Sequence, residues 1–419
     1  MAVSTKLSHV YPRNASLDGR GRLQIGGCDV LELAAAFGTP AYLVDEDDLR
    51  WRAREFKAAF GALHDDVQLV FATKAFPATA VLRLFAEEGY GCDVASGGEL
   101  ALALKAGVPP DRIHLHGNAK SPDELQQALD ARIGDVVVDN FDDLDKLDRL
   151  VPENRSQPVQ LRITPDVAGD THAAISTGQA DSKFGFGLDD ARVAIKRIHA
   201  TDRLTLTGLH AHIGSQLLAL APFRLAVAAM ASLGEFDTVN LGGGLGVAYH
   251  RAEEAPRIAD YARAKVEAVH AHFGTGVTIM DEPGRALVGN GCVTVYTVQS
   301  VKRNVSTWVG VDGGMSDNLR PMLYGARYEA EVADRFGGGT HCHLVGKHCE
   351  SGDVIIQAAD LADPKPGDVV VTPATGGYGH SMANNYNGQP RPPVIFCRDG
   401  EARVVVRRET YDDLLARDV

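Results

Sequence analysis

The first two thirds of the chain alternate short apolar runs with segments whose apolar residues recur at helical spacing. Eight of the apolar runs have the length and composition of buried strands. In order they are VQLVFA before Lys74, GCDVAS at Asp93, IHLHG at His116, DVVVD at Asp139, VQLRITP at Arg162, LTLTGLHAHIG at His212, DTVNLGGG at Gly242 and VTIMDEPGR at Glu282. Helical patterns such as PATAVLRLFAEE and PDELQQALDARI separate them, and Ser121 and Glu124 fit a capping box that opens the second.

A strict alternation of strands and helices predicts a parallel sheet. Eight such units between residues 46 and 290 fit a (β/α)8 barrel, whose typical length is about 250 residues. A doubly wound open sheet is the structural alternative. The polar residues stand at the carboxyl ends of the predicted strands, where barrel enzymes build their active sites.

The pattern changes after residue 290, where the helical period fades. Segments such as CVTVYTVQSVKR, TWVGVDGG, CHLVGKHC, DVVVTPA, PPVIFCRDG and ARVVVRRE are β-rich and separated by turn residues. We therefore expect an α/β protein with a second, all-β domain over residues 291–419. The strand-like stretch GRLQIGGCDV indicates that residues 1–45 join this domain.

Composition excludes several classes of partner. The formal net charge of -13 argues against nucleic acid and anionic membrane surfaces, which favour basic patches. No apolar run has the length of a membrane span, and the N-terminal residues lack the apolar core of a signal peptide. The six cysteines show no disulfide-framework spacing, so we expect free thiols in a cytoplasmic protein.

Candidate chemistry begins with Lys74, in the stretch VFATKAFP at the end of the first apolar run. Lysine is rarely buried unless it is paired or chemically used, so its position raises the expectation of a reactive amine. The stretch NLGGGLG places three glycines at a strand end, where backbone N–H groups can approach an anion. It matches neither a Walker A loop nor a full dinucleotide fingerprint, and a tight turn is the simpler interpretation. DEPGR adds Glu282 and Arg285 at the next strand end.

Two histidine-containing stretches raise the question of a metal. HAHIGSQ places His210 and His212 two residues apart on one strand, with Ser215 close behind, but no third ligand has suitable spacing. HCHLVGKHC has a zinc-like composition, yet its spacing matches no common zinc finger. We therefore expect no metal at either stretch.

A lysine, a glycine-rich phosphate cup, a carboxylate and a histidine at strand ends are together what a pyridoxal phosphate site requires. Here the chain resembles the barrel-type (fold-type III) pyridoxal phosphate decarboxylases, and within them the diaminopimelate decarboxylases. The resemblance extends over nearly the whole chain. The matching stretches are FATKAFP, CDVASGGEL, HGNAKS, ISTGQADSKFGFG, GLHAHIGSQ, LGGGLG, EPGR, VDGGMSDNLRPMLYGARY, CESGDV and GGYGHSMANNYN.

The resemblance implies a role for each matching residue. Lys74 should form the Schiff base with the cofactor, His212 should stack on its ring, and Glu282 should pair with its ring nitrogen. The residues implied to hold the cofactor phosphate are Ser215, Gly242, Gly243, Gly244, Gly284, Arg285 and Tyr378. Those implied to contact the substrate are Arg285, Arg320, Tyr324, Tyr378 and Glu350.

The resemblance also implies a homodimer with shared active sites. Cys349 and Glu350 should enter each site from the other subunit, with Cys349 as the proton donor and Glu350 as the partner of the substrate amine. The expected reaction is decarboxylation of meso-2,6-diaminopimelate to L-lysine and CO2, the last step of lysine biosynthesis.

Arg320, in DNLRPMLY, favours this substrate, because its distal carboxylate needs a cation. The alternatives are decarboxylation of another basic amino acid (lysine, ornithine, arginine or carboxynorspermidine), racemisation, or a non-catalytic regulator on the same fold. The presence of both Lys74 and Cys349 argues against the regulator.

Three points stay open at this stage. Residues 169–187, GDTHAAISTGQADSKFGFG, have the composition of a loop, and we hypothesise that they close over the substrate. Asp93 and Ser96 lie at a strand end, where either could contact the cofactor or support residues that do. Gly376 and Gly377 stand where an alanine is common in the family, and we expect added flexibility beside Tyr378.

Overall fold

The computed structural model describes residues 7–165 and 182–419. The chain divides into two compact units, named here the β-rich unit and the barrel unit. The β-rich unit comprises Met1–Trp51, Val247–Glu254 and Ala286–Val419. The barrel unit comprises Arg52–Gly246 and Ala255–Arg285. No helix among the described residues has the length and apolar character needed to cross a membrane. Most of the hypothesised lid, residues 169–181, lies outside the described residues.

The N-terminal elements begin the β-rich unit. They are β1 (Ser16–Leu17), β2 (Leu23–Ile25), β3 (Cys28–Asp29), α1 (Val30–Phe37), β4 (Ala41–Asp45) and α2 (Glu46–Gly61), whose last turns extend into the barrel unit. The predicted strand segment GRLQIGGCDV forms β2 and β3, which pair with β1 in a separate three-stranded antiparallel sheet. β4 is the N-terminal strand that enters the large sheet.

Eight parallel strands close the barrel. They are β5 (Val67–Ala72), β6 (Gly91–Val94), β7 (Ile113–Leu115), β8 (Asp135–Val138), β9 (Gln157–Arg162), β10 (Leu204–His210), β11 (Thr238–Asn240) and β12 (Thr278–Asp281). Each strand pairs with its neighbour in sequence, and β12 pairs with β5. All eight predicted strands are confirmed. The closure of the sheet excludes the doubly wound alternative.

Among the described residues, seven helices follow these strands, and three of them begin at a polar residue whose side chain caps the helix. The seven are α3 (Thr79–Glu87), α4 (Gly97–Ala106), α5 (Pro122–Ala131), α6 (Phe141–Leu150), α7 (Leu188–His199), α8 (Ala221–Ala231) and α9 (Ile258–Phe273). The predicted capping box of Ser121 and Glu124 is present at the start of α5. At α4 the Ser96 side chain accepts the N–H of Glu99, and at α6 the Asn140 side chain accepts that of Asp143. These bonds satisfy N–H groups that a helix start leaves unpaired.

The remaining elements complete the β-rich unit. They are α10 (Arg285–Val288), β13 (Cys292–Arg303), β14 (Thr307–Val311), α11 (Arg320–Tyr324), β15 (Glu331–Val332), β16 (Thr340–Val345), β17 (Val354–Leu361), β18 (Val369–Pro373), β19 (Val394–Arg398), β20 (Glu401–Val406) and α12 (Tyr411–Leu415). The main path of their sheet runs β17-β16-β14-β13-β4-β19-β20, while β18 pairs with β13 and β15. Each of the six segments predicted as β-rich contains a strand.

One hydrophobic core serves both sheets of the β-rich unit. Leu23 and Ile25 of the small sheet pack in the same buried cluster as Leu43, Val293 and Ile395 of the large one. The unit is therefore discontinuous in sequence, since its N-terminal strands pack with strands that follow residue 285. The predicted domain boundaries at residues 45 and 290 stay a prediction, because compactness alone does not establish independent folding.

Candidate active site

Lys74 lies on a short 3-10 turn, Thr73–Ala75, directly after strand β5. Its Nζ is 3.6 Å from Oδ2 of Asp93, and the Lys74 side chain is 43% exposed while that of Asp93 is 3% exposed. The Asp93 carboxylate also accepts the backbone N–H of Thr73 at 2.9 Å. The lysine is thus half-exposed rather than buried, and Asp93 supports both its amine and the turn that carries it. Ser96, the other residue left open, accepts the N–H of Glu99 as the cap of α4.

Glu282 follows strand β12 and lies against two histidine rings and one amide inside the barrel. His116 Nε2 is 3.1 Å from its Oε1, His210 Nε2 is 3.3 Å from its Oε2, and Asn240 Nδ2 donates to Oε1 at 2.8 Å. Burial by itself would raise the pKa of Glu282, but the two histidine rings bring that pKa well below its ordinary value. Glu282 is therefore a carboxylate at neutral pH, held in one orientation from three strands.

His210 and His212 are neutral imidazoles. Burial lowers the pKa of His210 to about 4. Burial and the positive charges of Lys74 and Arg162 also lower the pKa of His212 well below its ordinary value. Nδ1 of His212 accepts the backbone N–H of Gly243 at 3.2 Å, so the ring carries its proton on Nε2. A neutral, oriented ring is suited to lie against a flat aromatic ligand.

The glycine loop after β11 is too crowded for side chains. A Cβ on Gly243 would lie 2.2 Å from the carbonyl oxygen of Glu282. Gly244 has φ +114°, and its Cβ would lie 2.7 Å from the carbonyl oxygen of Gly214. The N–H groups of Gly242 and Gly243 already donate to Asn240 and His212. These two glycines therefore shape the loop, and their N–H groups are committed within the protein.

Arg285 and Ser215 form the cationic edge of the barrel site. Nη2 of Arg285 donates to Oγ of Ser215 at 2.9 Å, and the arginine is only 6% exposed. Gly284 precedes it, and a Cβ there would lie 2.8 Å from Cβ of Ala72. A buried guanidinium that faces a hydroxyl suits the recognition of a phosphate.

Arg320 opens helix α11 of the β-rich unit and is 4% exposed. Its Nη1 donates to the hydroxyl of Tyr328 at 2.5 Å, and its guanidinium lies 4.4 Å from the ring centroid of Tyr249. Nε of Arg320 is buried with no hydrogen-bond partner among the described residues. A buried cation with an unsatisfied donor fits the binding of a carboxylate. Tyr324 ends the same helix and is partly buried.

Tyr378 occupies a turn in which the backbone is closely packed. Its φ is +66°, in the left-handed region. A Cβ on Gly376 would lie 1.9 Å from the carbonyl oxygen of Val288, and the N–H of Gly376 donates to the carbonyl of Gly289 at 3.0 Å. Gly376 therefore allows a close approach that any side chain would block, while the expectation of added flexibility beside Tyr378 stays a prediction.

Cys349 and Glu350 lie on an exposed turn between β16 and β17. The N–H of Cys349 donates to Oδ1 of Asn387 at 2.9 Å. Below the turn, Nδ1 of His348 is 2.7 Å from Oδ2 of Asp353, and both residues are buried. The turn is therefore anchored from beneath, while its two predicted functional side chains face outward.

One group of side chains is close enough to share a metal ion. Within the described ranges, the one group of three side chains close enough to share an ion is His116, His210 and Glu282, with ligand atoms within 4.8 Å of one another. The His210 ring hydrogen-bonds to the Glu282 carboxylate, and Nε2 of His116 lies 3.1 Å from its other oxygen. The zinc-like stretch HCHLVGKHC does not assemble such a group, since Cys342 is buried in β16 and Cys349 lies on the outer turn.

Sequence reasoning missed the buried groups that support these residues. Lys265 of α9 is fully buried and donates to the carbonyls of Leu241 and Gly242 and to Asp281 at 2.5 Å. Lys265 follows Tyr261 by four residues, so both side chains lie on the buried face of α9. Asn240 and Gln160 are likewise polar positions within strands that otherwise read as apolar.

The described residues fit pyridoxal phosphate. A half-exposed amine at Lys74, a carboxylate at Glu282, a neutral ring at His212 and a guanidinium at Arg285 all belong to the barrel unit. The glycine loop brings the backbone close to the ends of neighbouring strands, where a Cβ would clash with carbonyl oxygens. These are the groups that a carbonyl cofactor with a basic ring nitrogen and a phosphate requires.

Comparison with known proteins agrees with the site. A family model described as pyridoxal-dependent decarboxylase, pyridoxal binding domain, matches residues 46–289. The barrel is thus the pyridoxal-binding domain of a decarboxylase. Diaminopimelate decarboxylase from Bacillus subtilis is 45% identical over 419 residues, covering 95% of each chain.

Solved structures extend the likeness to the whole fold. Diaminopimelate decarboxylase from M. jannaschii in complex with L-lysine superposes with a TM-score of 0.90 at 32% identity, covering 97% of this chain and 98% of the other. The Helicobacter pylori enzyme complexed with L-lysine gives 0.87 at 33% identity over 93% and 98%. The chain belongs to the diaminopimelate decarboxylase family of pyridoxal-dependent decarboxylases.

Proposed function

We propose that this enzyme decarboxylates meso-2,6-diaminopimelate to L-lysine and CO2 with pyridoxal phosphate. The observation that carries the choice of substrate is Arg320, a buried arginine whose Nε has no partner among the described residues. Diaminopimelate has a carboxylate at its distal end, which lysine and ornithine lack. The near full-length identity to curated diaminopimelate decarboxylases supports the same choice.

The proposed roles in the barrel unit follow from the chemistry of each group. The Lys74 amine would hold the cofactor aldehyde, Glu282 would face the ring nitrogen, and His212 would lie against the ring. Ser215, Gly284, Arg285 and the loop of Gly242, Gly243 and Gly244 would surround the phosphate. When bound, the cofactor supplies an electron sink for the bond that releases CO2.

The proposed roles in the β-rich unit concern the substrate. Arg320 would bind the distal carboxylate, aided by Arg285 and Tyr324, and Tyr378 would reach the cofactor phosphate and the substrate. Loss of CO2 leaves an electron pair on the α carbon, and the Cys349 thiol would donate a proton to it. General acid steps of this kind contribute about 10²–10⁴-fold to the rate.

We further propose that the enzyme is a cytoplasmic homodimer in which Cys349 and Glu350 serve the partner's site. Both side chains are exposed on a turn, which leaves them available to a second subunit. All six cysteines are free and five are buried, as suits a reducing compartment.

The test is an absorbance spectrum of the purified protein before and after addition of meso-diaminopimelate, with lysine and CO2 measured in the same sample. We expect a near-visible cofactor band that K74A lacks, and stoichiometric lysine and CO2 from the parent. A band without turnover would move the substrate to another basic amino acid. No band after addition of pyridoxal phosphate would refute the assignment.

A further inference from the structure

A chain of buried polar side chains crosses the barrel and ends at Glu282. Asn240, the last residue of β11, donates from Nδ2 to Oε1 of Glu282 at 2.8 Å and to Oε1 of Gln160 at 2.9 Å. Gln160, in the middle of β9, donates from Nε2 to Oδ2 of Asp135 at 3.2 Å. His114 Nδ1 is 3.2 Å from the same carboxylate oxygen. Four strands thus contribute to one connected path.

At each end of this series of hydrogen bonds stands a group that can act only as a donor or only as an acceptor. The backbone N–H of Gly242 is a fixed donor, and it points at Oδ1 of Asn240 at 3.0 Å. The Asn240 amide must therefore direct its NH2 group toward Gln160 and Glu282. At the far end, Asp135 can only accept as a carboxylate. Burial would raise the pKa of Asp135, but hydrogen bonds from His114, Thr207 and other groups bring it below the ordinary value.

The Gly242 N–H at one end and the Asp135 carboxylate at the other together fix the orientation of the Asn240 and Gln160 amides. Because Asp135 takes the NH2 of Gln160, the Gln160 oxygen must face Asn240, which then has both of its N–H donors engaged. Gln160 and Asn240 are both fully buried, so no solvent competes for these bonds. Asn240 consequently links the Glu282 carboxylate, which is proposed to face the ring nitrogen, to the backbone of Gly242 in the glycine loop.

We propose that Asn240 is a positioning residue that holds Glu282 and the Gly242 loop in one arrangement, and that Gln160 and Asp135 set the direction of its donors. This inference rests on the proposed function, in which Glu282 and the glycine loop contact the cofactor. It predicts that substitutions at Asn240 or Gln160 lower cofactor affinity and kcat together. KM for the substrate should stay unchanged, because neither residue is among those proposed to bind the substrate.

The test uses N240D and Q160M in the full-length enzyme. N240D keeps the size of the side chain but places an oxygen against Glu282. We expect the dissociation constant for pyridoxal phosphate to rise 10- to 100-fold and kcat to fall by a similar factor. This is about the effect of losing a hydrogen bond to a charged group. Q160M removes one neutral bond and should cost about threefold to tenfold. Affinity is measured by titrating apoenzyme with the cofactor and following absorbance.

Gln157 provides a matched control. It is also fully buried on β9, but it donates to the carbonyls of Gly134 and Pro158 and takes no part in the chain. Q157M should leave cofactor affinity within about twofold, since the bonds it removes do not reach Glu282. Parental affinity in N240D, or an equal loss in Q157M and Q160M, would overturn the inference. A parent enzyme that binds no cofactor would instead refute the proposed function.

Discussion

At the scale of single residues, the site depends on which groups are charged. Glu282 keeps its negative charge inside the barrel, while His210 and His212 are neutral rings beside it. Burial alone would neutralise a carboxylate, so the charge of Glu282 depends on its donors. Their buried surroundings therefore constrain the protonation of the residues proposed to face the cofactor ring.

The neutral state of His210 predicts a pH dependence of stability. The pKa of His210 is about 4 in the folded protein against an ordinary 6.5. Between these pH values the unfolded chain binds a proton that the folded chain excludes, so the free energy of unfolding falls as pH drops from 6.5 to 4. The slope from this group reaches at most about 1.4 kcal/mol per pH unit.

Urea unfolding at several pH values between 7 and 4 would measure this slope. H210Q should have a shallower slope than the parent, because glutamine does not titrate. H199Q, at an exposed histidine of α7, should retain the parental slope. Parallel curves for the parent and H210Q would contradict the assignment of a neutral, buried His210. The lowered pKa of Glu282 acts in the same direction, at more acid pH.

At the scale of elements, a buried ion pair joins a helix to two strand ends. Lys265 of α9 bonds to Asp281 at the end of β12 and to the carbonyls that follow β11. Tyr261, one turn earlier on α9, also donates to Asp281. This arrangement sets the position of the glycine loop relative to Glu282, which directly follows Asp281.

K265M should strongly destabilise the protein, because it leaves the Asp281 carboxylate buried without its cation. Removing one partner of a buried pair costs roughly 3–5 kcal/mol. Chemical unfolding of the variant would show this loss, and adding D281N should recover part of it. R224A breaks an exposed ion pair between α8 and α9, with side chains 60% and 57% exposed, and should cost less than about 1 kcal/mol. Equal losses in K265M and R224A would show that Lys265 is not a buried link.

At the scale of the whole molecule, the residues with proposed roles are divided between the barrel unit and the β-rich unit, which is assembled from three sequence segments. Under the proposed dimer, each site would combine Lys74 of one subunit with Cys349 of the other. K74A and C349A each remove one component, and neither homodimer would contain a complete site.

Mixing the two inactive variants tests this sharing directly. After co-expression or subunit exchange, half of the dimers should be mixed, and each mixed dimer should hold one intact site and one doubly altered site. Activity should recover to about a quarter of the parental value in a symmetric dimer with random pairing. If Lys74 and Cys349 served the same site within one subunit, the mixture would stay inactive. Tagged subunits purified as mixed dimers provide the control for exchange.

Periodicity and motif order alone determined the barrel strands, the strand-end site and the β-rich second part. A buried strand must be apolar over several residues, so the sequence shows it as an apolar run. The groups that contact a ligand must be of particular chemical types, so residues such as Lys74 and the stretch EPGR stand out at the strand ends.

Only the tertiary structure decided the supports behind them: Asn240 between Gln160 and Glu282, Lys265 under the glycine loop, Gly376 against Val288, and β4 within the distant sheet. These pairings join residues far apart in sequence, and hydrogen bonds across a closed barrel depend on which strands become neighbours. A single polar residue in an apolar run shows that a partner is needed, whereas the partner itself is specified by the closure of the sheet.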